Sequence, residues 1–116
     1  RFEGDDWRRG SQDREKIWTV STAWGANSAA QLGALLHDAE DSRAAAAYAR
    51  SRDLLGEILP GGSLVQSSGY LPEQLFDDGT PDCGTPLGWP HALRLATVAH
   101  LADAGELTAE PLSARE

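Results

Sequence analysis

Apolar positions along the chain fall into three helical stretches separated by polar ones. From Ile17 to about Leu36, the residues Ile17, Val20, Trp24, Leu32, Leu35 and Leu36 recur near the 3.6-residue helical period. Ala23, Ala26, Ala29 and Ala30 fill the remaining turns with strong helix formers. His37-Asp38-Ala39-Glu40 makes a short connector, after which Asp41 or Ser42 offers a side-chain oxygen to the free N–H groups of a second helix. That helix runs to about Leu59, where Pro60-Gly61-Gly62 stops it. Its apolar stripe is Ala44, Ala47, Tyr48, Leu54, Leu55 and Ile58, with Arg43, Arg50, Arg52, Asp53 and Glu57 facing water. A third helix begins between Pro86 and Pro90, where proline suits a first turn, and ends at Gly105. Leu93, Leu95, Ala96, Val98, Ala99, Leu101 and Ala102 surround it, which predicts burial on nearly all sides. Residues 1–16 are polar, residues 60–85 carry neither a helix nor a strand pattern, and residues 106–116 read as a tail.

The fold class this predicts is all-α. Three helices cannot bury an all-round apolar helix, so residues 1–105 are expected to be one segment of a larger helical domain, its earlier part lying upstream of Arg1. Loops beyond about 12–15 residues are uncommon unless they serve a function. Successive antiparallel helices alternate direction, so the first and third helices begin at the same end. The polar stretches 1–16 and 60–85 feed those two helices and should meet there, which makes that end the expected location of a site.

Composition narrows the chemistry. The 116 residues are 41% hydrophobic and 24% charged, in the ordinary range for a globular protein. A net charge of −8 argues against nucleic acid and against an anionic membrane surface, where basic patches supply the affinity. No apolar run is long enough to span a bilayer. Cys83 is the single cysteine, which excludes an internal disulfide framework, and no histidine stands beside it to activate the thiol. His37, His91 and His100 are scattered without metal-ligand spacing, and Asp77, Asp78 and Asp82 do not match a calcium loop, so neither metal nor cofactor is expected. His91 reads as a packing or hydrogen-bonding residue behind the site.

Glu73 is the residue best suited to chemistry. It follows the rigid Pro72, precedes the amide of Gln74, and has Tyr70, Phe76 and Trp89 nearby in sequence. A carboxylate so held suits general-base work on a water, and aromatic faces suit the apolar face of a sugar ring. By residue type alone, a solvent-exposed loop glutamate is the competing reading.

Leu71-Pro72-Glu73-Gln74, followed by Thr85-Pro86-Leu87-Gly88-Trp89-Pro90-His91-Ala92, resembles the signature of glycoside hydrolase family 15, the glucoamylase and glucodextranase group. Arg1-Phe2-Glu3-Gly4-Asp5-Asp6-Trp7 and Ile17-Trp18-Thr19-Val20-Ser21-Thr22-Ala23-Trp24 are similar to that family's arginine-bearing loop and the helix that follows it. The order is the family's. Trp7 stands in place of a tyrosine, the stretch Arg8 to Lys16 is longer and more charged, Ile17 replaces a proline, and Pro90 replaces a serine or threonine.

The resemblance implies part of an (α/α)6 toroid whose loops at one end form a pocket for a terminal glucose. It implies Glu73 as the general base of an inverting hydrolysis, with Arg1 on substrate hydroxyls, Asp5 in the loop that orients Arg1, and Trp18 and Trp89 lining sugar subsites. The substrate would be a starch-type α-glucan or maltooligosaccharide, cut by a carboxylic acid and Glu73 set roughly 6.5–9.5 Å apart. The acid's motif is not among these residues, so its partner glutamate would belong to the upstream part of the domain and this chain alone would be inactive. Two other classes stand beside this reading: a non-catalytic sugar-binding remnant using Arg1, Trp18 and Trp89, and a helical interaction domain with long loops.

Overall fold

The computed structural model describes residues 16–76, 78–82 and 88–107, and its elements are mostly helical. Helix α1 spans Thr19–Asp38, α2 spans Ala44–Ile58 and α3 spans Gly88–Asp103. Three short strands, β1 (Lys16–Trp18), β2 (Gln74–Phe76) and β3 (Pro81–Asp82), form an antiparallel sheet in the order β1-β2-β3. The helices match the sequence pattern to within a few residues. The strands correct it, because residues 60–85 were expected to hold none. Strands this short carry too little period-two patterning to read: β1 exists only through pairing with β2 more than fifty residues away, and β3 pairs with β2 across a short local turn.

The register of that pairing positions everything at this end of the molecule. Lys16, Ile17 and Trp18 lie opposite Phe76, Leu75 and Gln74. The segment before α1 and the segment before α3 are thereby joined at one end, as the helix directions predict. The opposite end agrees: His37 and Asp38 of α1 share a cleft with His100 and Asp103 of α3.

Within α1 the buried face is the small one. Ala23, Ala26 and Ala30 are at most 1% exposed and Gly33 is buried, whereas Trp24, Leu32 and Leu35 are 49%, 51% and 68% exposed. Of the apolar residues whose spacing marks this helix, Val20 is buried and Leu36 packs partly against the core, while the others point outward. Small side chains let neighbouring helices come close, and the bulk that fills the core comes from elsewhere: Tyr48, Leu55, Ile58, Leu64, Leu71, Leu75 and Leu101. A Cβ built on Gly33 would sit 2.7 Å from the Tyr48 ring. Ser51 of α2, outside the apolar stripe read from the sequence, is also buried, and its hydroxyl donates to the Ala26 carbonyl at 2.7 Å. The rest of the α2 stripe packs as expected, with Leu54 partly buried.

At the start of α2 the expected cap does not form: Asp41 Oδ1 accepts the N–H of Arg43, the residue ahead of the first turn, and the helix has no side-chain cap. The hydrogen-bonded Arg43 guanidinium helps hold the Asp41 carboxyl down to about pKa 2. Both α1 and α3 end in a Schellman turn. In α3, Gly105 (φ 72°) donates to Ala102 O and Glu106 to Leu101 O. In α1 the same left-handed position holds Glu40 (φ 55°), with the bonds Glu40 to His37 O and Asp41 to Leu36 O.

Helix α3 is not buried on all sides. Pro90, Thr97 and Leu101 are buried, but Leu95 is 70% exposed and Ala92, Ala99 and Ala102 face solvent. It packs mainly on α1 and less on α2, so one side is covered. Leu107 packs against the core and Glu106 forms an ion pair with Arg52, so the stretch read as a tail starts with two held residues.

Two stability changes follow. Gly33→Ala should lower stability by about 1–3 kcal/mol, because the added methyl meets a buried ring that has nowhere to go. Glu40→Gly should raise it by about 1 kcal/mol by relieving the left-handed backbone. Urea denaturation followed by circular dichroism measures both, and opposite signs would contradict the packing and the turn respectively.

Candidate functional site

Residues 69–74 form the loop that carries Glu73, and the core holds them on both flanks of that residue. Leu71 is fully buried, Pro72 nearly so, and Gln74 and Leu75 are 3% and 2% exposed, while Glu73 between them is partly open to solvent. A carboxylate in such a place has a fixed backbone and access to water, the two requirements of a base acting on a water molecule.

Helix α1 fastens the loop from one side. Thr19 is the first residue of α1, so its N–H has no acceptor within the helix. The Glu73 carbonyl supplies one at 3.3 Å, and the buried Thr19 hydroxyl donates to the Pro72 carbonyl at 2.5 Å. The loop thus uses carbonyls to satisfy an orphan donor of the helix, while the positive end of the helix dipole lies beside Glu73.

Helix α3 fastens it from the other side. The Leu71 N–H donates to His91 Nε2 at 3.0 Å. Arg94, one turn further on, donates from Nη1 to the carbonyls of Ile58 at 3.1 Å and Gly69 at 3.4 Å. Its Nη2 lies 2.9 Å from His91 Nδ1, and the Tyr70 ring packs edge-on against the imidazole at a centroid distance of 5.9 Å. Gly69 turns the chain with φ 84°, and the Gln66 N–H donates to the Tyr70 carbonyl to close the bend.

The residues expected to form a site come together in part. Trp18 lies opposite Gln74 in the β1–β2 pair, next in register to Glu73. Trp89 stands on the first turn of α3, 55% exposed, with its ring 5.0 Å from that of Trp24 at 74°. Trp24, one of the apolar positions whose spacing marks α1, is half exposed and makes an aromatic corner with Trp89 towards the end where α1 and α3 begin. Thr19 and Arg94 also went unnoticed. Arg94 had a readable signal, since a residue three after His91 shares its helical face. Thr19 had none, because its partners are backbone carbonyls of a remote loop. Arg1 and Asp5 lie outside the described residues, as do Asp77, Cys83 and the Thr85–Leu87 part of the second motif. Among the described residues, a cleft of about 380 Å3 at the far end and one of about 480 Å3 between α1 and α2 take in none of Trp18, Glu73 or Trp89.

Fold and site together define a mostly helical scaffold in which a three-stranded sheet fixes a carboxylate-bearing loop at the end where α1 and α3 begin. No family model, curated protein or solved structure matches the chain.

His91 brings a pH dependence with a definite sign. A neutral imidazole has one lone-pair nitrogen, and Nε2 uses it on the Leu71 N–H, so a second proton would have to sit on Nε2 against that donor, with the Arg94 guanidinium already beside Nδ1. Burial, and then the positive charge of Arg94, hold the group below its ordinary value of 6.5. As pH falls through about 6.5 the unfolded chain takes up a proton that the folded chain does not, so stability declines until the folded value is passed. Thermal melting at about pH 7 and pH 5 should therefore show a loss that is smaller in His91→Gln. Equal losses in the two proteins would remove His91 as its source.

Proposed function

We propose that this chain carries the base half of an inverting, exo-acting glucosidase site, with Glu73 as the general base. The observation that carries the reading is the fastening of the Glu73 backbone between the first residue of α1 and the first turns of α3, with the carboxylate-bearing residue partly open between buried neighbours. A base must hold its water against one face of an anomeric carbon to within a fraction of an ångström, and a free loop cannot do so. Exposed rings at the same end, Trp24 and Trp89 as an edge-to-face pair and Tyr70 beside His91, offer flat apolar surfaces suited to a pyranose.

In the reaction, Glu73 takes a proton from water as the water attacks the anomeric carbon, and a protonated carboxyl on the other side of the bond gives its proton to the leaving oxygen. The two carboxyl groups would stand roughly 6.5–9.5 Å apart to admit the water, and the configuration would invert. The acid would come from a part of the domain outside this chain. The substrate class is a starch-type α-glucan or maltooligosaccharide, cut from its end, and the wider reading is a segment of an (α/α)6 toroid with Arg1 and Asp5 on the sugar. The exposed Trp24–Trp89 corner also favours a second reading, a sugar-binding surface without catalysis.

Glucose release from maltoheptaose by the protein in its natural full length separates the two. Glu73→Gln should lower kcat by about 10²–10⁴-fold with KM little changed. Undiminished turnover would remove Glu73 as the base, and saturable binding without turnover in the unmutated protein would select the sugar-binding surface.

A further inference from the structure

We propose that His91 and Arg94 are positioning residues for Glu73, forming a latch on the loop whose hold depends on a neutral imidazole. This rests on the reading of Glu73 as the base. Neither residue bonds to the Glu73 carboxylate in the contacts described above. They act on the backbone two and four residues earlier, His91 on the Leu71 N–H at 3.0 Å and Arg94 on the Gly69 carbonyl at 3.4 Å. Between Leu71 and Glu73 lies only Pro72, whose ring fixes φ and whose carbonyl is already held by Thr19. A displacement at Leu71 therefore passes to Glu73 with little torsional slack to absorb it.

The latch has two grips. Arg94 is anchored to the end of α2 through the Ile58 carbonyl at 3.1 Å and holds the Gly69 carbonyl, while His91 spends its one acceptor nitrogen on the Leu71 N–H, so the 2.9 Å approach of Arg94 Nη2 to Nδ1 is a close contact between the two grips and not a further bond. Tyr70 packs on the imidazole and limits its rotation. Around the ring, the charged group acting on it is Arg94 from its own helix, and the titratable neighbour on the loop is Tyr70; both oppose an added positive charge or are neutral to it. Protonation would place an N–H against the Leu71 N–H and a cation against the guanidinium, so the latch opens on the acid side. The site thereby gains an acid limb of activity that does not belong to Glu73 itself.

Three variants of the full-length protein test this, with kcat and KM for maltoheptaose measured across pH and amide exchange at Leu71 measured alongside. His91→Leu removes the acceptor; kcat should fall by up to about 10²-fold with KM within about twofold, and Leu71 exchange should quicken. His91→Gln can accept the same N–H through its amide oxygen but cannot be protonated. It should recover most of kcat and flatten the acid limb, and it carries the test should His91→Leu not fold. Wild-type kcat in His91→Leu, or a Gln variant that keeps the wild-type acid limb, overturns the latch. Glu73→Gln serves as the reference. If it is inactive while His91→Leu is normal, the latch alone fails; if it is fully active, the base reading fails and the latch falls with it.

Discussion

The close approach that α1 permits along its small face is the constraint on which the rest depends. Ala23, Ala26, Ala30 and Gly33 put a methyl or less between this helix and what crosses it. Tyr48 lies against Gly33, and the Ser51 hydroxyl reaches the Ala26 carbonyl, a bond possible only where two helix backbones nearly touch. Because the core is closed by Tyr48, Leu55 and Ile58 from α2 and by Leu71, Leu75 and Leu101 from later in the chain, the large residues of α1 are left outside. Trp24 is one of them, and its place beside Trp89 is a consequence of that packing.

The loop that bears Glu73 is part of the same construction. Leu71 and Leu75 are core residues, so the intervening Pro72, Glu73 and Gln74 cannot drift without pulling apolar surface into water. The hydrogen bonds from Thr19, His91 and Arg94 then do what burial cannot, which is to set direction. Burial is nonspecific about rotation and register; bonds at Gly69, Leu71, Pro72 and Glu73 are not. A carboxylate mounted this way has its backbone organised before any substrate arrives, which is the condition under which positioning contributes to rate.

The boundaries and stripes of the helices were legible because they are local. Pro60-Gly61-Gly62 ends α2, Gly105 ends α3, and the Ala44-to-Ile58 stripe buries as its period says. The face of α1 was not legible. A large apolar residue and an alanine at helical spacing make equal claims to the core by period, and volume matching with a partner helix decides between them. The strands were not legible either, since three residues of β1 become a strand only through β2. At the site, Glu73, Trp18 and Trp89 stood out by residue type and motif. Arg94 was marked only by sharing a helical face with His91, and Thr19 acts through remote carbonyls that no spacing announces.

By itself, then, the sequence determined that the chain is mostly helical, where its helices stop, and that α1 and α3 begin at the same end, since helix direction alternates and local signals end each helix. It also singled out the Pro72-Glu73-Gln74 segment. The tertiary structure alone decided which side of α1 is inside, that β1 pairs with β2 in the register Trp18 to Gln74, and that His91 and Arg94 grip the loop from α3. Those outcomes depend on volumes and hydrogen-bond partners far apart in the chain, and such information exists only once the chain is folded.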